Sequence, residues 1–406
     1  MKNFILPKYY KSDLISTLKS IRNTQEKRNN FSPTKFEVGN LTFYIPRYFG
    51  FCFGVKNAIE ICYKVIKENP KRNIYLLSEM IHNPNVNKDL EENGVKFIND
   101  EKGNSIIPWE KIKKEDIVII PAFGTTIENL KTLQSKGIQT EKFDTTCPFV
   151  TKVWTKSNQL SSKNHTVIIH GKPEHEETKS TFSHAQKNGP TIIIKDIKEA
   201  KKLSKYILDN KKINFSSEFK NRFSKKFNPN HHLQKIGIVN QTTMLAEETK
   251  EITQFFENVM KKKYGEEYYK EHIANTRDTL CYATNENQIS THEVSKIDAD
   301  LSIIVGGYNS SNTSQLVKIC EKKFPTFFIS SEDKIISKKK IIHFNVEQKK
   351  EITTEEYLPK NKKINIIIAS GASCPDSILE RVLEKICSFY NEEIDKNSII
   401  ESFIKK

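Results

Sequence analysis

The sequence predicts an α/β protein of three similar units, each with a small and mostly parallel sheet. Three observations lead there. Short Ile- and Val-rich runs alternate with longer amphipathic stretches, the pattern of parallel strands covered on both faces. Most of these runs end in small polar residues, His or Glu. In open α/β sheets, ligands bind beyond the carboxyl ends of the strands, so matching strand ends predict one shared site. Finally, Cys52, Cys147 and Cys281 each stand where an apolar run gives way to a helical pattern.

Taken in order, residues 1–40 are polar and mixed in charge, and read as a helical or loosely ordered arm. A first α/β unit is expected over 41–143. Leu41–Pro46 begins a strand that runs into the Cys52 turn, and Lys56–Asn69 has a helical pattern. Ile74–Ile81 and Asp116–Pro121 are its further apolar runs. A second unit is expected over 144–277. There the helix after Cys147 is followed by strands at His165–His170, Thr191–Ile194 and Ile236–Val239. Lys201–Leu233, rich in Lys, Asn, Ser and Phe, reads as a helical insertion or long connection, assigned to 201–233. A third unit is expected over 278–390. It carries apolar runs at Leu301–Val305, Phe327–Ser330, Ile341–Phe344 and Ile364–Ile368, and an amphipathic stretch at Ser377–Phe389. A polar tail follows over 391–406.

At 406 residues the chain has room for two to four domains and a large core. Its net charge is +15, but the lysines are spread along the chain and read as solvated surface rather than a nucleic-acid or membrane patch. No stretch approaches the roughly 20 apolar residues of a membrane span, and no secretory signal is visible at the N-terminus. Seven widely spaced cysteines argue against a disulfide framework and for a cytosolic protein with free or metal-bound thiols. No G-x-G-x-x-G or phosphate-loop pattern occurs, so nucleotide folds of those kinds are unsupported.

Phe143–Val150 organises the chemistry. Pro148 suits the first helical position, which leaves Cys147 at a helix N-terminus where thiolate is favoured. There is no C-x-x-C, so a zinc ribbon or finger is disfavoured. Three cysteines from three units could ligate three irons of a cubane cluster and leave the fourth open; they could equally be packed thiols. Cys62, Cys320 and Cys387 lie in helical patterns and read as core; Cys374 reads as packing. Asn309-Ser310-Ser311-Asn312 and Gly371-Ala372-Ser373 follow strands and open helices. Each is an N-cap or an anion cradle. With His82 and His175 at other strand ends, they point to an anionic ligand. Glu177, with Thr242 elsewhere, could form a proton relay or be a solvated carboxylate at a helix start.

Together these motifs resemble those of the 4-hydroxy-3-methylbut-2-enyl diphosphate reductase (LytB/IspH) family. The matching segments are Phe51–Val55, Ile81–Asn83, Asp144–Pro148, His175–Thr178, Asn240–Thr243, Cys281–Thr284, Asn309–Asn312 and Ser370–Ser373, in the family's order. The resemblance implies three α/β units about a pseudo-threefold axis, with Cys52, Cys147 and Cys281 holding one 4Fe–4S cluster per chain. It implies that His82, His175, Ser310, Asn312 and Ser373 hold a diphosphate, and that Gln241, Thr243 and Ser311 line the same pocket. Glu177 and Thr242 would pass protons to an allylic hydroxyl. The implied reaction is reductive dehydroxylation to isopentenyl and dimethylallyl diphosphate, the last step of the non-mevalonate isoprenoid pathway, with electrons from a ferredoxin or flavodoxin.

The chain departs from many bacterial members at Ala122-Phe123-Gly124, where those have Ala-His-Gly. Phe123 cannot donate a hydrogen bond, so Lys172 or another donor is expected to compensate. The Pro-Ala-Phe-Gly form and the segment Lys201–Leu233 resemble the plant and cyanobacterial branch. The alternatives are a cysteine nucleophile acting on phosphate or acyl groups, or a basic nucleic-acid-binding protein.

Overall fold

The structure, a computed structural model, describes residues 5–100, 103–209, 214–274, 279–360 and 363–404. The chain divides into two compact units that do not follow chain order. One comprises Met1–Glu60, Ile81–Leu90 and Tyr282–Lys406; the other comprises Ile61–Met80 and Glu91–Cys281.

In the first unit, β1 (Thr34–Val38), β2 (Leu41–Ile45), β9 (Leu301–Val305), β10 (Thr326–Ile329) and β14 (Ile364–Ser370) form one sheet in the order β1-β2-β14-β9-β10. Only the β1–β2 pair is antiparallel. The central strands are buried Ile- and Val-rich runs, as both-face coverage requires. β14 pairs with β9 so that Ser370 faces Val305. The loops leaving these two strand ends therefore lie side by side. A second, antiparallel sheet is made of β11 (Ile335–Ser337), β12 (Lys340–Asn345) and β13 (Lys350–Glu355).

The described residues before β2 are built into this unit. Helix Asp13–Gln25 is capped by Ser12, whose side chain accepts from the Ile15 N–H. Its Leu14, Ile15 and Leu18, spaced for one face, are buried in the same core as Phe36, Phe43 and Ile366. β1 alternates buried and exposed residues, as an edge strand with one covered face should.

The second unit holds two three-stranded parallel sheets. One has the order β4 (Val95–Phe97), β3 (Ile74–Leu76), β5 (Ile117–Ile119); the other has β7 (Thr191–Ile194), β6 (Thr166–His170), β8 (Ile236–Asn240). The expected small and mostly parallel sheets are thus present. Among the described residues of 201–233, the later part of helix Ile197–Leu208 and the short turn Phe215–Glu218 with its C-cap bury Tyr206, Phe215 and Phe219 in one core with β6 and β8 side chains, and a further turn follows at Pro229–His232. Aromatic packing at ring separations near 5 Å, such as 5.1 Å for Tyr206–Phe215, holds this segment. Among the described residues, no helix is long and apolar enough to cross a membrane.

Candidate functional site

In the first unit, the polar groups gather at the ends of β9 and β14. Ser310 caps helix Ser311–Cys320; its Oγ accepts from the Thr313 N–H at 3.2 Å and from the Thr313 hydroxyl at 2.9 Å. Both of these contacts use Ser310 as an acceptor, so its hydroxyl hydrogen is not spent on them. Asn312 Oδ1 accepts from the Ala372 N–H at 2.8 Å and from Asn287 Nδ2 at 3.4 Å, which fixes the amide. Its Nδ2 is buried and has no acceptor among the described residues. A buried donor left unmade costs about 1–3 kcal/mol, so this N–H is suited to an incoming acceptor. Ser373 donates to the His82 carbonyl at 3.0 Å. That carbonyl lies directly over Gly307, where a Cβ would stand 2.2 Å from it; only glycine permits the approach. The N–H of Cys52 donates to the Ala372 carbonyl at 3.2 Å. His82, Ser310, Ser311, Asn312 and Ser373 are all buried, and Cys52 is half-buried at the start of helix Phe53–Glu68. Burial pushes the Cys52 thiol up, while the N–H groups of Gly54 and Val55 pull the other way.

In the second unit, the ends of β6 and β8 do the same. Helix Glu176–Gln186 is capped by His175, whose Nδ1 accepts from the Glu177 N–H at 3.2 Å. An accepting Nδ1 carries no proton, so the neutral ring has its hydrogen on Nε2. Phe123 packs edge-on to this ring at 5.8 Å and 81°. Glu177 is only 2% exposed. Its Oε1 accepts the Thr242 N–H at 2.5 Å, and its Oε2 accepts the Thr242 hydroxyl at 2.9 Å. This two-point grip holds carboxyl and hydroxyl in proton-transfer contact. Gln241 braces the same loops: its Oε1 accepts from the Lys172 N–H at 3.0 Å and the Thr178 hydroxyl at 3.1 Å, and its Nε2 donates to Thr243 Oγ1 at 2.8 Å.

Two of the candidate ligand cysteines, Cys147 and Cys281, belong to this unit. Cys147 is the N-cap of helix Pro148–Ser162, with Pro148 at its first turn; its N–H donates to the Ala122 carbonyl at 3.0 Å. The Cys281 N–H donates to the carbonyl of Thr242, the partner of Glu177, at 3.1 Å, which ties the Cys281 backbone to that residue. Thr279, two residues earlier, is pinned to the end of β8. Thr279 Oγ1 accepts the Asn240 N–H at 2.6 Å and donates to the Asn240 carbonyl at 3.0 Å. Asn240 Nδ2 in turn donates to Thr249 Oγ1 at 2.9 Å, in a buried network with His170.

Residues 44–387 match the family described as LytB protein. The chain belongs to the LytB family. A reductase of 4-hydroxy-3-methylbut-2-enyl diphosphate from Microcystis aeruginosa is 38% identical over 94% of this chain and 90% of its own length. The enzyme of the same name from Trichormus variabilis is 39% identical over 86% of this chain and 85% of its own length. Among solved structures, "(E)-4-Hydroxy-3-methyl-but-2-enyl Diphosphate Reductase, the Terminal Enzyme of the Non-Mevalonate Pathway" superposes with a TM-score of 0.50 at 26% identity, covering 85% of this chain and 98% of that one. The Plasmodium falciparum reductase superposes at 0.61 with 23% identity over 86% of this chain and 89% of that one, and shares the fold.

Within this LytB-family chain, each unit assembles its own share of the expected residues. None of the seven cysteines is in a disulfide. Among the described residues, no three His, Cys, Asp or Glu side chains form a ready metal-binding group. The donor chemistry nonetheless suits iron and sulfide: three thiols at helix starts, one of them receiving backbone N–H groups. Sequence reasoning missed Asn287, Thr313, Asn240 and Thr279. Thr313 and Asn287 lie inside helices, where a polar residue gives no signal of its own. Asn240 stands in the sequence only as part of a motif, and Thr279 is recognisable only once it is bonded to the Asn240 backbone at the end of β8.

Proposed function

We propose that the chain reduces 4-hydroxy-3-methylbut-2-enyl diphosphate to isopentenyl and dimethylallyl diphosphate. The observation that carries this reading is the buried Glu177–Thr242 pair, set in a chain whose curated relatives bear that activity in their names. Cys52, Cys147 and Cys281 would hold one 4Fe–4S cluster. When bound, the cluster supplies an open iron as Lewis acid and two electrons, delivered singly.

The chain's own residues bind, orient and move protons. His82, His175, Ser310, Asn312 and Ser373 hold the diphosphate, through the His175 Nε2–H, the Ser310 hydroxyl and the orphaned Asn312 amide. Ser311, Gln241 and Thr243 shape the same pocket, and Gln241 does so as a brace. Phe123 contributes an edge-on contact to His175 rather than a hydrogen bond. Thr242 stands between Glu177 and the substrate hydroxyl and passes a proton to it, so that the hydroxyl leaves as water. A second proton and the two electrons complete the product at carbon. Excluding bulk water protects this balance.

Electrons come from a ferredoxin- or flavodoxin-type protein, and the diffuse +15 charge suits an acidic partner without requiring nucleic acid or a membrane. The test is anaerobic turnover with a chemical reductant. Consumption of the hydroxylated diphosphate with release of both C5 products is expected. Hydrolysis of the diphosphate without reduction would return the cysteine-nucleophile reading.

A further inference from the structure

The segment Arg47–Phe51 delivers Cys52 to its helix, and residues of the N-terminal arm contact Arg47, Tyr48, Phe49 and Phe51 and close over Gly50. Arg47 Nη2 donates to the Arg22 carbonyl at 2.8 Å, and both arginines are buried. The Tyr48 hydroxyl donates to the Arg28 carbonyl at 2.7 Å, and its ring lies edge-on to Phe31 at 5.7 Å. The Lys19 ammonium sits 4.2 Å from the centre of the Phe49 ring and pairs with Asp376 at 2.6 Å. Gly50 passes beneath that ion pair with φ at +68°. A Cβ there would stand 2.7 Å from Asp376 Oδ1 and 2.8 Å from Lys19 Nζ. The Tyr10 ring lies edge-on to Phe51 at 5.7 Å, and its hydroxyl bonds Asp89. The opposite side of the segment is fixed by the sheet, through Gly50 N–H to Ser370 at 3.3 Å and Cys52 N–H to Ala372 at 3.2 Å.

We infer that the N-terminal arm is a clamp that holds the Cys52 loop in position for ligation, with Tyr10 and Lys19 as positioning residues. The inference rests on the reading of Cys52 as an iron ligand. The arm lies ahead of the LytB match, which begins at residue 44. It cannot swing away cheaply, because Leu14, Ile15 and Leu18 are part of the core. A loop gripped from two sides opens rarely; released on one side, it joins the segments that open locally. A ligand thiol needs the first condition, because its sulfur has to be preorganised.

The test uses the full chain as wild type, as the Tyr10→Leu/Lys19→Met double variant, and as Tyr10→Phe, which keeps the ring on Phe51. Metal-free protein is pulsed anaerobically with iodoacetamide and each cysteine is followed by peptide mapping. Reconstituted protein is challenged with an iron chelator. In the double variant, Cys52 should alkylate about tenfold faster, with Cys147 and Cys281 within about twofold of wild type. Iron should leave faster by a similar factor, and Tyr10→Phe should lie near wild type. An unchanged Cys52 rate in a folded double variant would overturn the clamp, as would an equal rise at all three cysteines. The alkylation readout needs no cluster. Wild type that takes up no iron would therefore count against the reductase reading, while the labelling still judges the clamp.

Discussion

Glu177→Gln is expected to abolish most turnover while leaving the fold and the iron content unchanged. The amide keeps Oε1 in place to accept the Thr242 N–H, now at 2.5 Å. Its NH2 replaces the oxygen that accepts the Thr242 hydroxyl at 2.9 Å, and that hydroxyl can turn to accept instead. What is lost is the proton. General acid–base groups contribute about 10²–10⁴-fold, so kcat should fall within that range and KM should move far less. Single-turnover kinetics separate the two. A variant with near-normal kcat would remove Glu177 from the proton path and leave the Thr242 contact as a structural brace.

The second large effect is at Cys147. Cys147→Ser should lose or degrade the cluster without harming the chain. Cys147 is a helix N-cap, and serine is among the best N-cap residues. The metal-free variant should therefore melt at or slightly above the wild-type temperature. Serine oxygen is a poor substitute for thiolate on iron, so iron and sulfide should fall well below the wild-type content, and turnover with them. This pairing of a preserved fold with a lost cluster separates a ligand from a packed thiol. Full iron and sulfide in Cys147→Ser would sink the assignment.

Much of this architecture is written locally. Runs such as Leu301–Val305 and Ile364–Ser370 are apolar enough to be found as strands, and each ends in the residues that gather in the first unit. β1 escapes notice although Thr34–Val38 alternates as a one-sided strand should, because the run is short and set in a stretch of polar and charged residues. Its strand character comes from pairing with β2. The arm looked polar for the same reason. Its core residues Leu14, Ile15, Leu18, Phe36 and Val38 are diluted by solvated positions, and its grip on the Cys52 loop depends on contacts remote in sequence, such as Lys19 with Asp376. At the site, residue types and motif order pointed to Glu177 and Thr242, but not to the manner of their contact. The strongest hold on the carboxylate is a backbone N–H, which every residue but proline carries and no sequence pattern distinguishes. Asn312 illustrates the converse. Its place in the motif was legible, while its orphaned Nδ2 follows from the Ala372 N–H claiming the other end of the amide.

The central claim is that three cysteines of this chain hold an iron–sulfur cluster. Its most direct test is iron and acid-labile sulfide per chain on anaerobically purified protein, with the visible spectrum taken before and after dithionite. About three to four irons with matching sulfide, and a band that bleaches on reduction, are the expected result. No iron or sulfide after anaerobic reconstitution would contradict it and would bring the cysteine-nucleophile reading forward.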